Sequence, residues 1–356
     1  MKKLPLVSFI IVARNASRHL PAILSDLLAQ DYPKGRMQIF LIDGCSQDKS
    51  RKIMQEFADA HPDLMVAILD NYGKILSSGW NVALAEAQGD IIIRVDAHSS
   101  IPPEFISKNV NNIIAGESIA GGPRISKTPE GIWQGLLSQA EISKFGSGIA
   151  DYRNPGPSRY IDTLAHAAYK RIVFEKVGGY DERLVRHQDN EIHYRMKQAG
   201  FKFFFDPAIK SFYSPRPSLH SFLKQKYSNG LWIGLAISIQ PYCFGVHHFI
   251  PAIFVGAVIL LFILGIIWSW IPLALLSILY SLAAFVFTCE AMVKAPLVIK
   301  SFCIVLPPIF LLMHSTYGTG TVVGLIIGPF FKWKNRRYKL PRPIKPQEKV
   351  KPFVKN

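Results

Sequence analysis

Two acidic residues stand where an apolar run gives way to a polar turn and a third stands ahead of a helical pattern, and each could do chemistry from its position. Asp43 follows the run Gln38–Ile42 within IDGCSQDKS at 42–50. Asp96 follows Ile91–Val95 in VDAH at 95–98, itself preceded by AQGDIIIR at 87–94. Asp189 lies in GGYDERLVRHQDNEIHYRMKQAG at 178–200, ahead of the helical pattern Ile192, Met196, Ala199 that ends at Gly200. A fourth element, VARN at 12–15, closes the first apolar run and supplies Asn15. A carboxylate so placed can accept hydrogen bonds, hold a cation against an anionic group, or take a proton from an attacking hydroxyl. Plainer roles compete with these. Asp43–Ser46 reads equally as a turn leading into a helix, because Asp, Gly and Ser favour turns. Asp189 could simply cap its helix, and His98 could only hydrogen-bond behind Asp96.

The elements that would position these residues alternate. Val7–Ala13, Gln38–Ile42, Met65–Asp70 and Ile91–Val95 read as apolar strands, with helices over Ala22–Gln30, Ser50–His61 and Ser77–Ala87 between them. Apolar strands separated by helices imply a parallel sheet covered on both faces. Open sheets of this kind bind ligands at the carboxyl ends of their strands, where the four motifs fall. Residues 116 to about 215 are less regular, with GGPRIS at 121–126 and NPGPSR at 154–159, and suit the acceptor side of a reaction.

In this order the motifs resemble the family 2 glycosyltransferases, which combine an Asp-Gly-x-Ser turn, an Asp-x-Asp-type motif and a later acidic base. The VDAH wording and the apolar C-terminal third look like the branch that builds bacterial exopolysaccharides. The resemblance covers residues 5 to about 235. It implies a GT-A-like (Rossmann-like) α/β domain that binds a nucleotide diphosphate sugar, in which Asp43 accepts from a uracil-like base and Asn15 shapes the same pocket. Asp96 would hold the ribose and a divalent cation, Mg²⁺ or Mn²⁺. Its usual acidic companion is replaced by His98, a weaker ligand for hard cations. Asp189 would be the general base in an inverting transfer, and Gln188 stands where relatives often carry Glu. Of the Gln-x-x-Arg-Trp motif that lines acceptor channels, Gln225 is retained as a substrate contact, but Ser228 occupies the Arg position. That favours single-sugar transfer over a processive β-glycan synthase, and it makes phosphate contact by Lys224 or Lys226 plausible. Retention of Asp43, Asp96 and Asp189 together argues against a decayed scaffold.

The 356 residues are 49% hydrophobic and carry a net charge of +16, both unevenly spread. No charge occurs from Phe249 to Trp268 or from Ile271 to Cys289. Each run is long enough for the ~20 apolar residues a membrane helix needs. The stretch 301–331 carries only His314 and is interrupted by Gly318, Gly320 and Gly324, so a re-entrant or tilted segment is expected. Ten basic residues from Lys332 to Lys355 face Glu348 alone. Beside an apolar run such a tail reads as cytoplasmic and attracted to anionic lipid, not as a nucleic-acid site. Apolar residues from Leu219 to Leu235 recur at helical spacing with Lys224 and Lys226 on other faces, which suggests an interfacial amphipathic helix. Cys45, Cys243, Cys289 and Cys303 show no zinc-ligand spacing and read as free thiols. Lys2 and Lys3 before Leu4–Ala13 imitate a signal peptide. However, Arg14 and Asn15 follow at once, so a buried strand in a cytoplasmic domain fits better.

The expected organisation is a catalytic domain over 1–215, an interfacial segment over 216–247, a transmembrane region over 248–331 and a basic cytoplasmic tail over 332–356. The expected partners are a nucleotide sugar donor, a lipid-linked saccharide acceptor and membrane lipid, and the expected setting is the cytoplasmic membrane.

Overall fold

The computed structural model describes residues 4–146, 148, 150–153 and 156–344. Lys2, Lys3, Asn154, Pro155 and the tail from Lys345 onward lie outside the described residues. The first third runs β1 (Val7–Ala13), α1 (Leu20–Leu28), β2 (Met37–Asp43), α2 (Ser50–Ala60), β3 (Met65–Asp70), α3 (Leu76–Glu86) and β4 (Ile91–Asp96). The middle runs β5 (Ser99–Ser100), α4 (Phe105–Ile114), β6 (Ile119–Gly121), β7 (Arg124–Ser126), α5 (Ile132–Ile142), β8 (Arg159–Ile161) and β9 (Ala167–Lys170). It continues with α6 (Arg171–Val177), α7 (Gln188–Gln198), β10 (Phe203–Phe205) and β11 (Ser211–Tyr213). The rest is helical: α8 (Leu219–Ile239), α9 (Ile250–Ile267), α10 (Ile271–Lys294), α11 (Leu297–Lys300) and α12 (Leu306–Lys334).

The chain divides into two compact units. The first comprises residues 1–125, 154–213 and 338–356, and the second 126–153 and 214–337. This differs from a single cut at 215. Residues 126–153 go with the helices because Leu136, Leu137 and Ala140 of α5 bury in one apolar cluster with Leu306, Ile309 and Phe310 of α12. Residues 338–344, expected within the tail, fold with the first unit.

In the first unit the sheet order is β3-β2-β1-β4-β9-β6-β10-β8. The first four strands are parallel, with Ala13 in register with Asp43 and Val12 with Asp96. All seven residues of β1 are buried, as a strand covered on both faces requires. Its side chains alternate between two cores. Phe9 and Ile11 join Leu24 of α1, Met54 of α2 and Phe105 of α4, while Ile10 and Val12 join Trp80 of α3, Phe174 of α6 and Ile192 of α7. Beyond β4 the sheet becomes mixed, because β9 runs antiparallel to both β4 and β6. β9 follows β8 through a short loop with no crossover helix between them, so nothing requires it to run parallel to its neighbours. A small sheet of order β5-β11-β7 sits beside the Asp96 motif.

In the second unit, three helical segments among the described residues are long and apolar enough to cross a membrane: Val246–Ile267, Ile271–Lys294 and Leu297–Lys334. Gly318, Gly320 and Gly324 do not interrupt the last of these. The 29-residue helix α12 runs through them and through Pro329. The glycines serve packing instead. A β-carbon on Gly320 or Gly324 would strike the carbonyls of Tyr227 or Leu231 on α8, and one on Gly230 would strike that of Tyr317. Small residues four apart on both helices let the two backbones touch. The pairing advances in step along both helices, so α8 and α12 run parallel. Helix α8 also departs from the expected face assignment. Its buried face runs Phe222, Lys226, Gly230 and Ile233, so Lys226 lies on that face and not on a solvated one. The lysine is 3% exposed and meets Glu141 of α5 at 3.4 Å, with Arg153 at the same carboxylate oxygen, also at 3.4 Å. Burial pulls the Lys226 ammonium below its usual pKa, and Glu141 opposes that shift.

Candidate functional site

Asp43 and Asp96 end strands on either side of β1, so the sheet itself sets their spacing. Asp43 is buried, and its two carboxylate oxygens accept from the Ser46 amide at 3.3 Å. The turn is locked to Asn15. The Asn15 amide donates to Ser46 Oγ at 2.9 Å, and Gln47 N donates to Asn15 Oδ1 at 2.8 Å. Asn15 and Cys45 both adopt the left-handed region, with φ of 50° and 55°, as tight turns at strand ends demand. Thus Asn15 and Asp43 share one rigid turn. The turn-forming role of Asp43 is present, and a carboxylate keeps lone pairs beyond the one hydrogen it accepts here.

Around Asp96 the structure assembles residues that motif reasoning did not single out. His166 Nε2 lies 3.4 Å from Asp96 Oδ2 and 3.3 Å from Ser99 Oγ. Arg124 Nη2 lies 3.6 Å from the same oxygen and donates to His98 Nε2 at 3.4 Å. Arg124 arrives through GGPR: a side chain at Gly122 would collide with the carbonyls of Asp206 and Ile209, so only glycine lets the backbone pass. The guanidinium then lies over the Tyr213 ring at 4.7 Å. Burial alone would raise the Asp96 carboxyl pKa. The hydrogen bond and charge of His166, with His98 and Arg124, outweigh it and hold the group well below the usual carboxylate range. Burial pulls His166 downward against its bond to Asp96.

Asp189 stands in the first turn of α7, whose N-cap His187 is left-handed at φ 59°. Arg94 Nη1 of β4 lies 2.6 Å from Asp189 Oδ1, close but without the alignment of a hydrogen bond. Arg94 is 5% exposed, whereas Asp189 is 35% exposed. The guanidinium lies over Trp80 and Tyr180, at 5.4 and 5.5 Å from their ring centres. It reaches Tyr169 Oη at 3.5 Å, which meets His193 Nε2 at 3.0 Å, and Thr163 Oγ1 meets His193 Nδ1 at 2.7 Å. A buried polar chain therefore backs Asp189. The neighbouring acids are not in the same state. Asp181 and Glu191 are 1% and 2% exposed and engage Arg183 and Arg195 at 2.6 and 2.7 Å. Burial also pushes Glu191 upward, against the pull of Arg195. Of these three carboxylates only Asp189 is open to an incoming hydroxyl.

The loop before Asp189 is stapled twice. Asn81 of α3 donates to Tyr180 O at 2.9 Å and accepts from Tyr180 N at 2.7 Å. From the C-terminal side, Tyr338 Oη accepts from Glu182 N at 2.9 Å and its ring lies under Arg183 at 4.8 Å. Ile344 packs against the core cluster that holds Trp80 and Ile192. Gln225 belongs to the second unit, where it accepts from Arg216 Nε at 3.1 Å.

Residues 8–178 match the family described as Glycosyl transferase family 2, a stretch that holds Asn15, Asp43, Asp96, His98, Arg124 and His166 and ends before Asp189. The succinoglycan biosynthesis protein ExoA of Rhizobium meliloti is 27% identical over 253 residues, 66% of this chain and 76% of that one. The dolichyl N-acetyl-alpha-D-glucosaminyl phosphate 3-beta-D-2,3-diacetamido-2,3-dideoxy-beta-D-glucuronosyltransferase of Methanococcus voltae is 26% identical over 333 residues. That alignment covers 90% of this chain and 98% of that one. The mannosyltransferase PcManGT from Pyrobaculum calidifontis, solved with GDP-Man and Mn²⁺, shares the fold at a TM-score of 0.58. It is 15% identical, over 93% of this chain and 89% of that one. The strand-end motifs, the family match and these relatives agree: the chain is a glycosyltransferase with a family 2 domain on a GT-A-like fold.

Proposed function

We propose that the enzyme transfers a hexose, with inversion, from a nucleotide diphosphate sugar to a lipid-linked saccharide at the cytoplasmic membrane. UDP is the favoured nucleotide, since Asp43 can accept from a uracil N–H in the pocket that Asn15 shapes. The observation that carries this reading is the placement of Arg94 and Asp96 two residues apart on β4. One positions the half-buried carboxylate of Asp189, and the other lies in a cluster suited to a diphosphate. Asp189 takes the acceptor proton as the hydroxyl attacks, with Arg94 fixing one carboxylate oxygen and leaving the other for the hydroxyl. Charge developing on the leaving diphosphate meets the Arg124 guanidinium beside Asp96.

A divalent cation belongs to this reading. Asp96 Oδ2 and His98 Nε2 both lie within 3.6 Å of Arg124 Nη2, so the two could serve as neighbouring ligands of a cation that took the place of this nitrogen. Among the described residues no group of three or more His, Cys, Asp or Glu is arranged to hold a metal. The remaining ligands would therefore be phosphate oxygens and water, as hard cations prefer. Bound there, the ion would neutralise the leaving group. Support for a lipid acceptor comes from the apolar helices and from relatives named for transfer to dolichyl and undecaprenyl phosphate carriers. Gln225 is assigned to the acceptor side, and the segment 216–247 to the lipid surface.

The test incubates membranes containing the enzyme with a panel of radiolabelled nucleotide sugars and extracts the lipid fraction. Label that enters lipid from one donor, and not from membranes carrying Asp189→Asn, supports the assignment. Label appearing only in free sugar would refute it.

A further inference from the structure

The position that a cation would take already contains a positive charge. Arg124 Nη2 contacts both candidate ligands, and its hydrogen bond to His98 uses the Nε2 lone pair that a metal would need. The same guanidinium is stacked on Tyr213, and its Nε is buried without a partner among the described residues. A buried, unspent N–H beside a carboxylate and an imidazole is costly unless something else completes it. An arginine fork matches phosphate oxygens far better than it matches an imidazole.

We propose that Arg124 is a resident counter-ion of the cation position, holding Asp96 and His98 in the free enzyme and turning to the donor diphosphate when nucleotide and metal arrive together. This rests on the donor reading above. Metal binding is consequently coupled to nucleotide binding. Without nucleotide the site offers two protein ligands and a competing unit charge. With it, the diphosphate supplies both the missing oxygens and a destination for the guanidinium. Arg124 thereby keeps Asp96 from capturing metal unproductively, and it becomes a donor-binding residue when the nucleotide arrives.

The test is Mn²⁺ binding, followed by electron paramagnetic resonance of the free ion, on the full-length enzyme in detergent with and without UDP. The unmodified enzyme should bind Mn²⁺ weakly alone and at least about tenfold more tightly with UDP. A unit charge ~4 Å from a divalent ion in water-like surroundings opposes binding by about 30-fold. Arg124→Met should therefore tighten Mn²⁺ binding without nucleotide by about 10- to 30-fold, while weakening UDP in the presence of Mn²⁺. Arg124→Lys keeps the charge and should leave Mn²⁺ binding weak without UDP. Adding His98→Ala to Arg124→Met should abolish the gain, which assigns the ion to this site. Arg124→Met that still binds UDP but shows unchanged or weaker Mn²⁺ binding overturns the proposal, as does equal tightening in Arg124→Lys. An unmodified enzyme that binds Mn²⁺ but neither UDP nor another nucleoside diphosphate overturns the donor reading, and the proposal falls with it.

Discussion

Replacing Asp189 with Asn keeps the shape of the side chain and removes its capacity to take a proton, so it tests the assigned base directly. Loss of a positioned base lowers transfer by about 10²–10⁴-fold, or roughly 3–5 kcal/mol of barrier. A second effect follows from the structure. Arg94 is buried and Asp189 Oδ1 is its counter-charge at 2.6 Å, so the substitution leaves a charge in the core without its partner. Removing one member of a fully buried pair costs about 3–5 kcal/mol. Asp189 is 35% exposed, so water screens the pair and roughly 1–3 kcal/mol is a better expectation. The variant should thus be somewhat less stable yet fold and bind donor, since Asp43 and Asp96 lie on other elements. The assay measures nucleotide binding, thermal unfolding and lipid transfer on one detergent preparation. Transfer per bound donor within threefold of the unmodified enzyme would refute the base assignment. The search could not then simply move to Asp181 or Glu191, because both are buried and held by arginines.

Three further outcomes are expected. Burial depresses the pKa of His193 well below its usual value, so His193 stays neutral in the folded protein while the unfolded chain takes up a proton below about pH 6.5. Its contribution is therefore intact above that pH, and stability falls by up to about 1.4 kcal/mol per unit as pH drops below it; chemical denaturation across pH 5–7 should show this slope, reduced in His193→Gln. Glu141→Gln leaves buried Lys226 and Arg153 without this shared counter-charge, and should cost about 3–5 kcal/mol in unfolding of the full chain, whereas a change under ~1 kcal/mol would mean that Glu141 is not what neutralises them. Reporters fused after Asn356 and inserted at Ser269 should report opposite sides of the membrane, with the Asn356 fusion cytoplasmic; matching signals would refute that topology.

The strands β1 to β4 and the helices between them were legible to within two or three residues, because continuous apolar runs bounded by turn residues admit few other readings. The acidic strand-end residues were legible for the same reason: a polar group ending a buried strand is conspicuous. Arg94, Arg124 and His166 were not. Arg124 and His166 come from the stretch after β4, where strands of three or four residues leave no period to read, and only tertiary pairing brings them to Asp96. Arg94 carried a usable signal, a lone charge inside IIIRV, since an arginine in a strand buried on both faces must find a partner. Lys226 and the glycines of α12 were misread for one shared reason. Helical spacing shows which residues align on a face, but not whether that face meets water, lipid or another helix.

The return of Tyr338–Ile344 to the α/β unit limits how the chain can be threaded through a bilayer. Residues before α8 and residues after α12 belong to the same folded body, so both lie on one side of the membrane, and the number of crossings between them must be even. Three helical segments among the described residues are long and apolar enough to cross, yet three crossings would strand Tyr338 on the far side from Glu182. The helices are not equivalent. The apolar windows of the first two are 11% buried within the protein, while that of the third is 33% buried, through its backbone contact with α8. An even count is met when α9 and α10 enter and leave the lipid as a hairpin and α12 stays beside α8.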